Sequence, residues 1–510
     1  MTLEKFYSEL ALDSLKLVGT GQTALECKLH AEAGNEIAKV LSASVHAHIY
    51  SVECMIGEAR YSGKAIFKAV YCTVTGQTVC VEYVAEFDDK ISDKRITPSV
   101  RAYSKCSVVD TNTISVSPDE IKLAAVIEVE LEGILSEQVK FIEKTSPDLI
   151  TKSELLEICT LNSGTNNTFT INSDIEIKHN IYSVISVSGE AFVENTEIFD
   201  GGIRVIGKIY LKVCYLETVD SVAMQSTETV LQYNQEIEAP NITSECFVGA
   251  FVKLVESKIT AALVSAESES SVSVECIVNL NAFAYETKKI SVISDAFSVT
   301  NKLNMDIESF TNLKFEASKY CEEKIEGEIT LDDTLPLVDK VLLVTGTSTQ
   351  IANSYCNDGG FIVEGIAYAN VIYFNEQNNS QYAVQIELPF SIKVNMPQIT
   401  DKYIIKLSAG ISDINAKTKR GNLITVEAEL KINAYFFTEN SKAVLKDISE
   451  GDLLPLSEYA IGIYIVRKGQ TVWDIAKYAG INPNLIYTQN PDIIEPLQEG
   501  QRLKVYRQLS

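Results

Sequence analysis

Along most of the chain apolar and polar residues alternate, as in Val274-Glu275-Cys276-Ile277-Val278-Asn279-Leu280-Asn281 and Val426-Glu427-Ala428-Glu429-Leu430-Lys431-Ile432. Successive side chains of a strand point to opposite faces, so a period of two predicts one buried and one wet face. The runs are rich in Val, Ile, Thr and Tyr and are divided by turn clusters such as Thr75-Gly76-Gln77, Asp200-Gly201-Gly202 and Asn357-Asp358-Gly359-Gly360. Many short antiparallel strands with polar turns predict a mainly β fold, and the sandwich is the form expected, although periodicity alone leaves a barrel open. Two stretches, near Ser153 to Glu157 and Met305 to Asn312, fit a short helix as well as a strand.

The strand runs repeat. Gly63 to Tyr71 reads GKAIFKAVY, Gly207 to Tyr215 reads GKIYLKVCY, and Gly365 to Tyr373 reads GIAYANVIY. An earlier strand accompanies each, at Ile49-Tyr50-Ser51-Val52, Ile181-Tyr182-Ser183-Val184 and Val341-Leu342-Leu343-Val344, and a later one at Ile127-Glu128, Val274-Glu275 and Val426-Glu427. The offset is the size of a domain and far too long for a solenoid repeat. Alternation lapses around Lys144-Thr145-Ser146-Pro147-Asp148, from Ser291 to Asn304, and from Asp447 to Leu456, which predicts β-rich repeats over 1–150, 151–298 and 299–450. No Gly/Ser-rich or Pro-rich tether separates them, so they are expected to pack one after another in a chain.

Beyond the third repeat the period changes, and residues 460–510 read as strand, helix, helix, strand. Tyr464-Ile465-Val466 is a short strand ending at Gly469; Thr471 is placed to cap a helix, with Asp474 three positions on completing a capping box. Val472, Ile475, Ala476 and Ala479 fall on one helical face, and Gly480 supplies the stop. Asn482 then caps a second helix with Pro483 at its first position, Leu485 and Ile486 are expected to face inward, and Asn490-Pro491 ends it before the strand Arg502 to Tyr506.

The series Tyr464, Val466, Gly469, Thr471, Trp473, Ile475, Ala476, Leu485, Asn490, Leu497, Gly500 and Leu503 resembles a LysM domain. The resemblance implies a shallow groove for N-acetylglucosamine-containing glycan, formed here by Gly469, Gln470, Thr471 and Val472 on one side and Asn490, Pro491, Asp492, Ile493 and Ile494 on the other. Position 470 is Gln where that family usually has Asp. The gapped triplicate resembles the repeat of clostridial-type spore-coat morphogenetic proteins of the SipL kind, in which such repeats precede a C-terminal LysM. That resemblance implies a scaffold of spore coat and envelope morphogenesis, working in the mother-cell cytoplasm at the forespore surface, with a basement-layer morphogenetic protein or other coat proteins as partners. The alternative is a peptidoglycan-binding anchor of wall or cortex.

Charge and chemistry narrow the picture further. A net charge of -25 disfavours nucleic acid and anionic membrane, and no run approaches the length of a membrane span, so neither nucleic-acid binding nor membrane insertion is expected. The segment from Tyr464 to Ser510 departs from this, with six Lys/Arg against four Asp/Glu. The start, Met1-Thr2-Leu3-Glu4-Lys5, lacks the basic and apolar regions of a secretory signal, which favours the cytosolic reading.

Eleven cysteines without a C-x-x-C pair, several inside apolar runs like Cys214 and Cys276, are expected to be reduced and buried. Of the four histidines, His30, His46, His48 and His179, only His46 and His48 share a strand face, and no Cys or acidic neighbour completes a metal set, so solvated or edge positions are expected. Gly19-Thr20-Gly21-Gln22-Thr23 has the small residues of a phosphate loop without its Lys and is expected to be a turn. Glu128 and Glu130 fall on one strand face and are expected to be solvated rather than a hydrolytic pair. The expectation is therefore a protein without catalysis, cofactor or metal.

Overall fold

The computed structural model describes residues 4–178, 181–218, 224–239, 242–263, 270–332, 334–454 and 461–506, with side chains at all of these except 13–16, 134–137, 163, 263 and 461. His179 lies outside them. The first six strands are β1 (Lys5–His30), β2 (Ile37–Met55), β3 (Glu58–Thr73), β4 (Thr78–Ser92), β5 (Arg101–Val116) and β6 (Glu120–Thr145). The same succession returns as β7 (Ile150–Ile177), β8 (Ser183–Phe199), β9 (Gly202–Leu216), β10 (Met224–Glu238), β11 (Phe247–Leu263) and β12 (Ser270–Phe297). It returns again as β13 (Asn301–Thr330), β14 (Lys340–Asn357), β15 (Gly360–Asn375), β16 (Ser380–Asn395), β17 (Tyr403–Arg420) and β18 (Leu423–Leu453). The chain is mainly β, as its alternation predicts.

Each set of six makes two three-stranded antiparallel sheets, ordered β1-β6-β5 with β2-β3-β4, β7-β12-β11 with β8-β9-β10, and β13-β18-β17 with β14-β15-β16. The two sheets of a unit share one core. In the first unit Phe67 and Tyr71 of one sheet meet Leu123, Ile127 and Leu131 of the other, all at most 0% exposed. The Gly that opens the repeated run has a cross-strand reason. Gly63 pairs with Phe87, Gly207 with Tyr233 and Gly365 with Phe390. A Cβ would lie 2.4 Å from the Phe87 ring, 2.3 Å from the Tyr233 hydroxyl and 2.7 Å from the Phe390 ring, so the aromatic takes the space that a side chain would occupy. The Tyr eight residues on, at 71, 215 and 373, is buried in all three cores.

The units do not follow one another as a chain of beads. Val70, Cys214 and Ile372, the eighth residue of each repeated run, meet in a single apolar cluster with Leu41, Met224 and Leu343. One residue of the preceding strand is bulged out at the same place in each unit, beside Val40, Val184 and Val341. The sixth residue of the run closes a ring of contacts. Lys68 donates to the Val187 carbonyl (3.2 Å), Lys212 to the Ile414 carbonyl (3.5 Å), and the Asn370 amide to Ser42 Oγ (3.0 Å), so unit one reaches two, two reaches three, and three reaches one. Cyclic packing of this kind buries the outer face of each middle strand, which a string of domains would leave wet.

The long strands do the same at the other end. β1 with β6, β7 with β12 and β13 with β18 run on past their sheets as two-stranded ribbons, and Leu12, Val139, Phe141, Leu156, Ile158, Val292, Phe310 and Val444 bring the three ribbons together. The ribbons decide what the sequence reading left open. Residues 153–157 and 305–312, which fit helix as well as strand, are strand, because ribbon pairing and burial of Leu156, Ile158 and Phe310 outweigh local preference. Gly19 to Thr23 is likewise strand, not turn: a Cβ at Gly19 would lie 2.6 Å from Ile91, and one at Gly21 would lie 2.8 Å from the Tyr61 hydroxyl.

All eleven cysteines are free, and six of them are buried, including Cys214 and Cys276. Burial pushes both of these thiols up to about 11, so they stay protonated. His46 is exposed and His48 half-buried on β2, an outer strand of its sheet. Lys253 of the second unit donates to the nearby Ala47 and Cys106 carbonyls (2.8 and 3.2 Å), and desolvation together with the neighbouring ammonium groups of Lys68, Lys64 and Lys253 pushes both imidazoles to about 4.

Candidate functional site: the C-terminal groove

The last module is β19 (Ile461–Ile465), α1 (Val472–Ala479), α2 (Pro483–Gln489) and β20 (Arg502–Tyr506), with β19 and β20 antiparallel. Its helix ends form as the residues dictate. Thr471 Oγ1 accepts from Asp474 N while the Asp474 carboxylate accepts from Thr471 N at 2.8 Å, a full capping box, and those bonds hold Asp474 below its usual range. Gly480 closes α1 with φ 63°, and Asn482 caps α2 ahead of Pro483. Val466, Val472, Ile475, Ala476, Ile486 and Leu503 form the core. Leu485 does not join it: it is 46% exposed, and only Ile486 of that pair faces inward. On a helix of seven residues the buried arc is too narrow for two adjacent positions.

A shallow cavity of about 310 Å³ opens between Gly469-Gln470-Thr471 and Glu495-Pro496-Leu497. Gly469, with φ 79°, turns the first wall. Gln470 is tied down by its side chain, which accepts from Arg467 N at 2.9 Å and bonds the Tyr464 hydroxyl, so it shapes the loop from within. Among the remaining predicted groove residues, Val472 is 1% exposed and contributes its side chain to the core. Ile493 is half-buried against that core, whereas Pro491 and Asp492 are exposed and Ile494 is 80% exposed. Asn490 is committed to β20, donating to the Lys504 carbonyl and accepting from Lys504 N, both at 2.7 Å.

None of Asn490 to Ile494 lines this cavity; its second wall is Glu495, Pro496 and Leu497, which sequence reasoning did not place there, because the loop from 490 to 500 has no periodicity to say which part folds back toward Gly469. Among the described residues the cavity is lined by the module alone, and the module is docked to the body through α1. Trp473 Nε1–H donates to Asp295 Oδ2 at 2.8 Å, Lys477 Nζ to Asp295 Oδ1 at 2.6 Å, and Phe297 meets the indole edge-on at 5.1 Å. Both partners, Asp295 and Phe297, belong to the end of the second unit.

Elsewhere a broader open cavity of about 650 Å³ runs along the seam of β1 and β4, lined by Glu26, Lys28, His30, Glu82 and neighbours. Its charges are used in ion pairs: Glu26 with Lys122, Lys28 with Glu120, Glu82 with Lys68. Among the described residues no group of three His, Cys, Asp or Glu is arranged to hold a metal, and no helix is long and apolar enough to cross a membrane.

The molecule is thus a mainly β repeat body carrying a small β-α-α-β module with an open groove. The SipL SPOCS-domain family model matches residues 180–264 and 337–419, and the LysM-domain model matches residues 464–505. The chain thus carries two regions similar to the SipL SPOCS domain and a C-terminal region similar to a LysM domain, together less than half of its length. The two SPOCS matches span β8 to β11 and β14 to β17, the strands inserted between the long ribbon strands; β2 to β5 of the first unit share their topology. No curated protein and no solved structure matches the chain. Neither matched family is that of an enzyme.

Proposed function

We propose that this protein is a non-catalytic scaffold of spore-envelope assembly, which docks at the forespore surface from the mother-cell cytoplasm through its LysM module and gathers other coat components on its β-repeats. The observation that carries the reading is the module's attachment: Trp473 and Lys477 hold it to Asp295, while the groove is lined by module residues alone and Ile494 is 80% exposed. The three repeats, 1–150, 151–298 and 299–450, offer acidic surfaces for partners. A fluorescent fusion imaged during sporulation tests it. The full chain is expected to encircle the forespore, and a chain ending before residue 461 is expected to disperse; a truncated chain that still encircles the forespore overturns the role of the module.

The cavity between Gly469 and Leu497 favours a second reading, a peptidoglycan anchor in which the groove takes N-acetylglucosamine. Backbone polar groups of Gly469 to Thr471 would meet the acetamido group, and Ile494 its methyl. Sedimentation with purified sacculi separates the two, since only the anchor needs glycan. Release of muropeptides by the purified chain would contradict both.

A further inference from the structure

The two edges of the module's small sheet are treated differently. On the β20 side every outward backbone group of two residues is occupied by a side-chain amide. Gln489 accepts from Tyr506 N at 2.8 Å and donates to its carbonyl at 3.1 Å, and Asn490 makes the same pair with Lys504. The end of α2 thus imitates a neighbouring strand. On the β19 side nothing comparable is found among the described residues. The ladder partners Gly462↔Val505 and Tyr464↔Leu503, continued by Val466 N to the Gln501 carbonyl, turn the even-numbered backbone groups toward β20. In an antiparallel pair the alternate residues then point their N–H and C=O outward, here Ile463 and Ile465.

The exposed face of that hairpin is apolar at the open edge and basic behind it. Ile463 is 69% and Ile465 58% exposed, and their cross-strand partners are Lys504 and Arg502. Arg467 and Lys468 follow at the end of the strand, both exposed. Open edges in folded proteins are normally blunted by Lys, Pro, a bulge or a cover, and two bare isoleucines on an open edge are the opposite arrangement. The cations stand on a chain of net charge -25, so they form a local exception that acidic partners can find.

We infer that the β19 edge is a second docking surface, which takes an extended segment of a partner protein as an added strand, apolar against Ile463 and Ile465 and acidic toward Arg502, Lys504 and Arg467. Main-chain bonds to Ile463 and Ile465 supply the affinity, and the flanking cations select acidic over basic segments. The inference rests on the reading of the module as a docking unit but uses a different surface from the groove.

The test uses the full chain and a nine-residue peptide with a Val-Thr-Val-Thr-Val centre between Glu pairs, beside a control with Lys pairs, followed by fluorescence anisotropy. The acidic peptide is expected to bind about tenfold or more tightly than the control, and to slow hydrogen exchange at Ile463 and Ile465. Ile463→Pro, which removes an outward N–H, and the double change Arg502→Glu with Lys504→Glu are each expected to weaken it about tenfold, and Ile494→Asp to leave it unchanged. Emission of the lone tryptophan shows that each variant keeps its module folded and docked; should Ile463→Pro disturb it, the charge reversal still decides. Equal binding of both peptides, or binding indifferent to the charge reversal, overturns the proposal. So does a concentration-dependent dimer abolished by the same changes, with no peptide binding, since the edge then serves a second copy. Failure of the forespore localisation experiment with peptide binding intact sinks the scaffold reading and leaves this one standing.

Discussion

The indole of Trp473 donates its single hydrogen bond to Asp295, a residue 178 positions earlier, and the same carboxylate receives Lys477. One acidic side chain at the end of β12 therefore holds the LysM module to the second repeat. Because the chain has one tryptophan, its emission reports directly on that dock. In Asp295→Ala the indole loses its acceptor and the emission is expected to move to the red, with docking weakened by about 1–3 kcal/mol. Unchanged emission would show that Phe297 and the apolar contacts suffice.

Ile494 is 80% exposed and directly precedes Glu495 of the groove's second wall. Ile494→Asp is expected to leave thermal stability within about 0.5 kcal/mol of the parent, as for surface changes in general. If the groove takes glycan, the same variant sediments with sacculi at least several-fold less. Thr471→Ala behaves differently, losing about 1 kcal/mol of module stability with the capping box, whereas Thr471→Ser keeps both the hydroxyl and the stability.

Gly207 lies beneath Tyr233, and a Cβ there would stand 2.1 Å from the Phe192 carbonyl. Gly207→Ala is expected to destabilise the body by several kcal/mol in chemical denaturation, in the range of overpacked cores. Gly63→Ala meets Phe87 and the His48 carbonyl at 2.4 and 2.6 Å and should behave alike. Tolerance of either change would mean that the aromatic neighbour moves freely.

Glu190 lies at the junction of units, with Lys253 near it and Gly410 of the third unit so close that a Cβ there would stand 3.0 Å from its Cγ. Burial raises its carboxyl to about 7, with Lys253 opposing. A group whose folded value is raised binds its proton more tightly when folded, so its contribution is full below about 4.5 and is lost as pH rises through about 7. His46 and His48, lowered to about 4, contribute in the other sense, fully above about 6.5 and less as pH falls toward 4. Glu190→Gln removes the first of these, and is expected to stabilise the protein at pH 8 relative to pH 5 by on the order of 2 kcal/mol in urea unfolding. An equal effect at both pH values would show that this carboxyl titrates normally.

Most of what is local in this molecule could be read directly. Period-two patterning marked the strands, Thr471 with Asp474 and Asn482 with Pro483 marked two helix starts, and the spaced Gly and Tyr of the repeated runs marked equivalent strands. Each of these depends on residues a few positions apart, or on an intrinsic preference of one side chain. What pattern left open or misread has a common cause. The ambiguous segments 153–157 and 305–312 were settled as strand, and Gly19 to Thr23 became strand instead of turn, by pairing with partners more than a hundred positions away.

The groove was legible to the same degree. Its first wall, Gly469 to Thr471, follows from a turn glycine and a cap, whereas the turn that brings Glu495 and Pro496 opposite it has no pattern of its own. The sequence by itself determined which residues alternate, where helices begin and which module closes the chain. Only the tertiary structure decided that the three repeats ring one another through Lys68, Lys212 and Asn370, that Asp295 anchors Trp473, and that one sheet edge is covered while the other is open. The reason is that strand periodicity states that a face must be buried without stating against what, and the choice among possible partners is made by the packing of the whole chain.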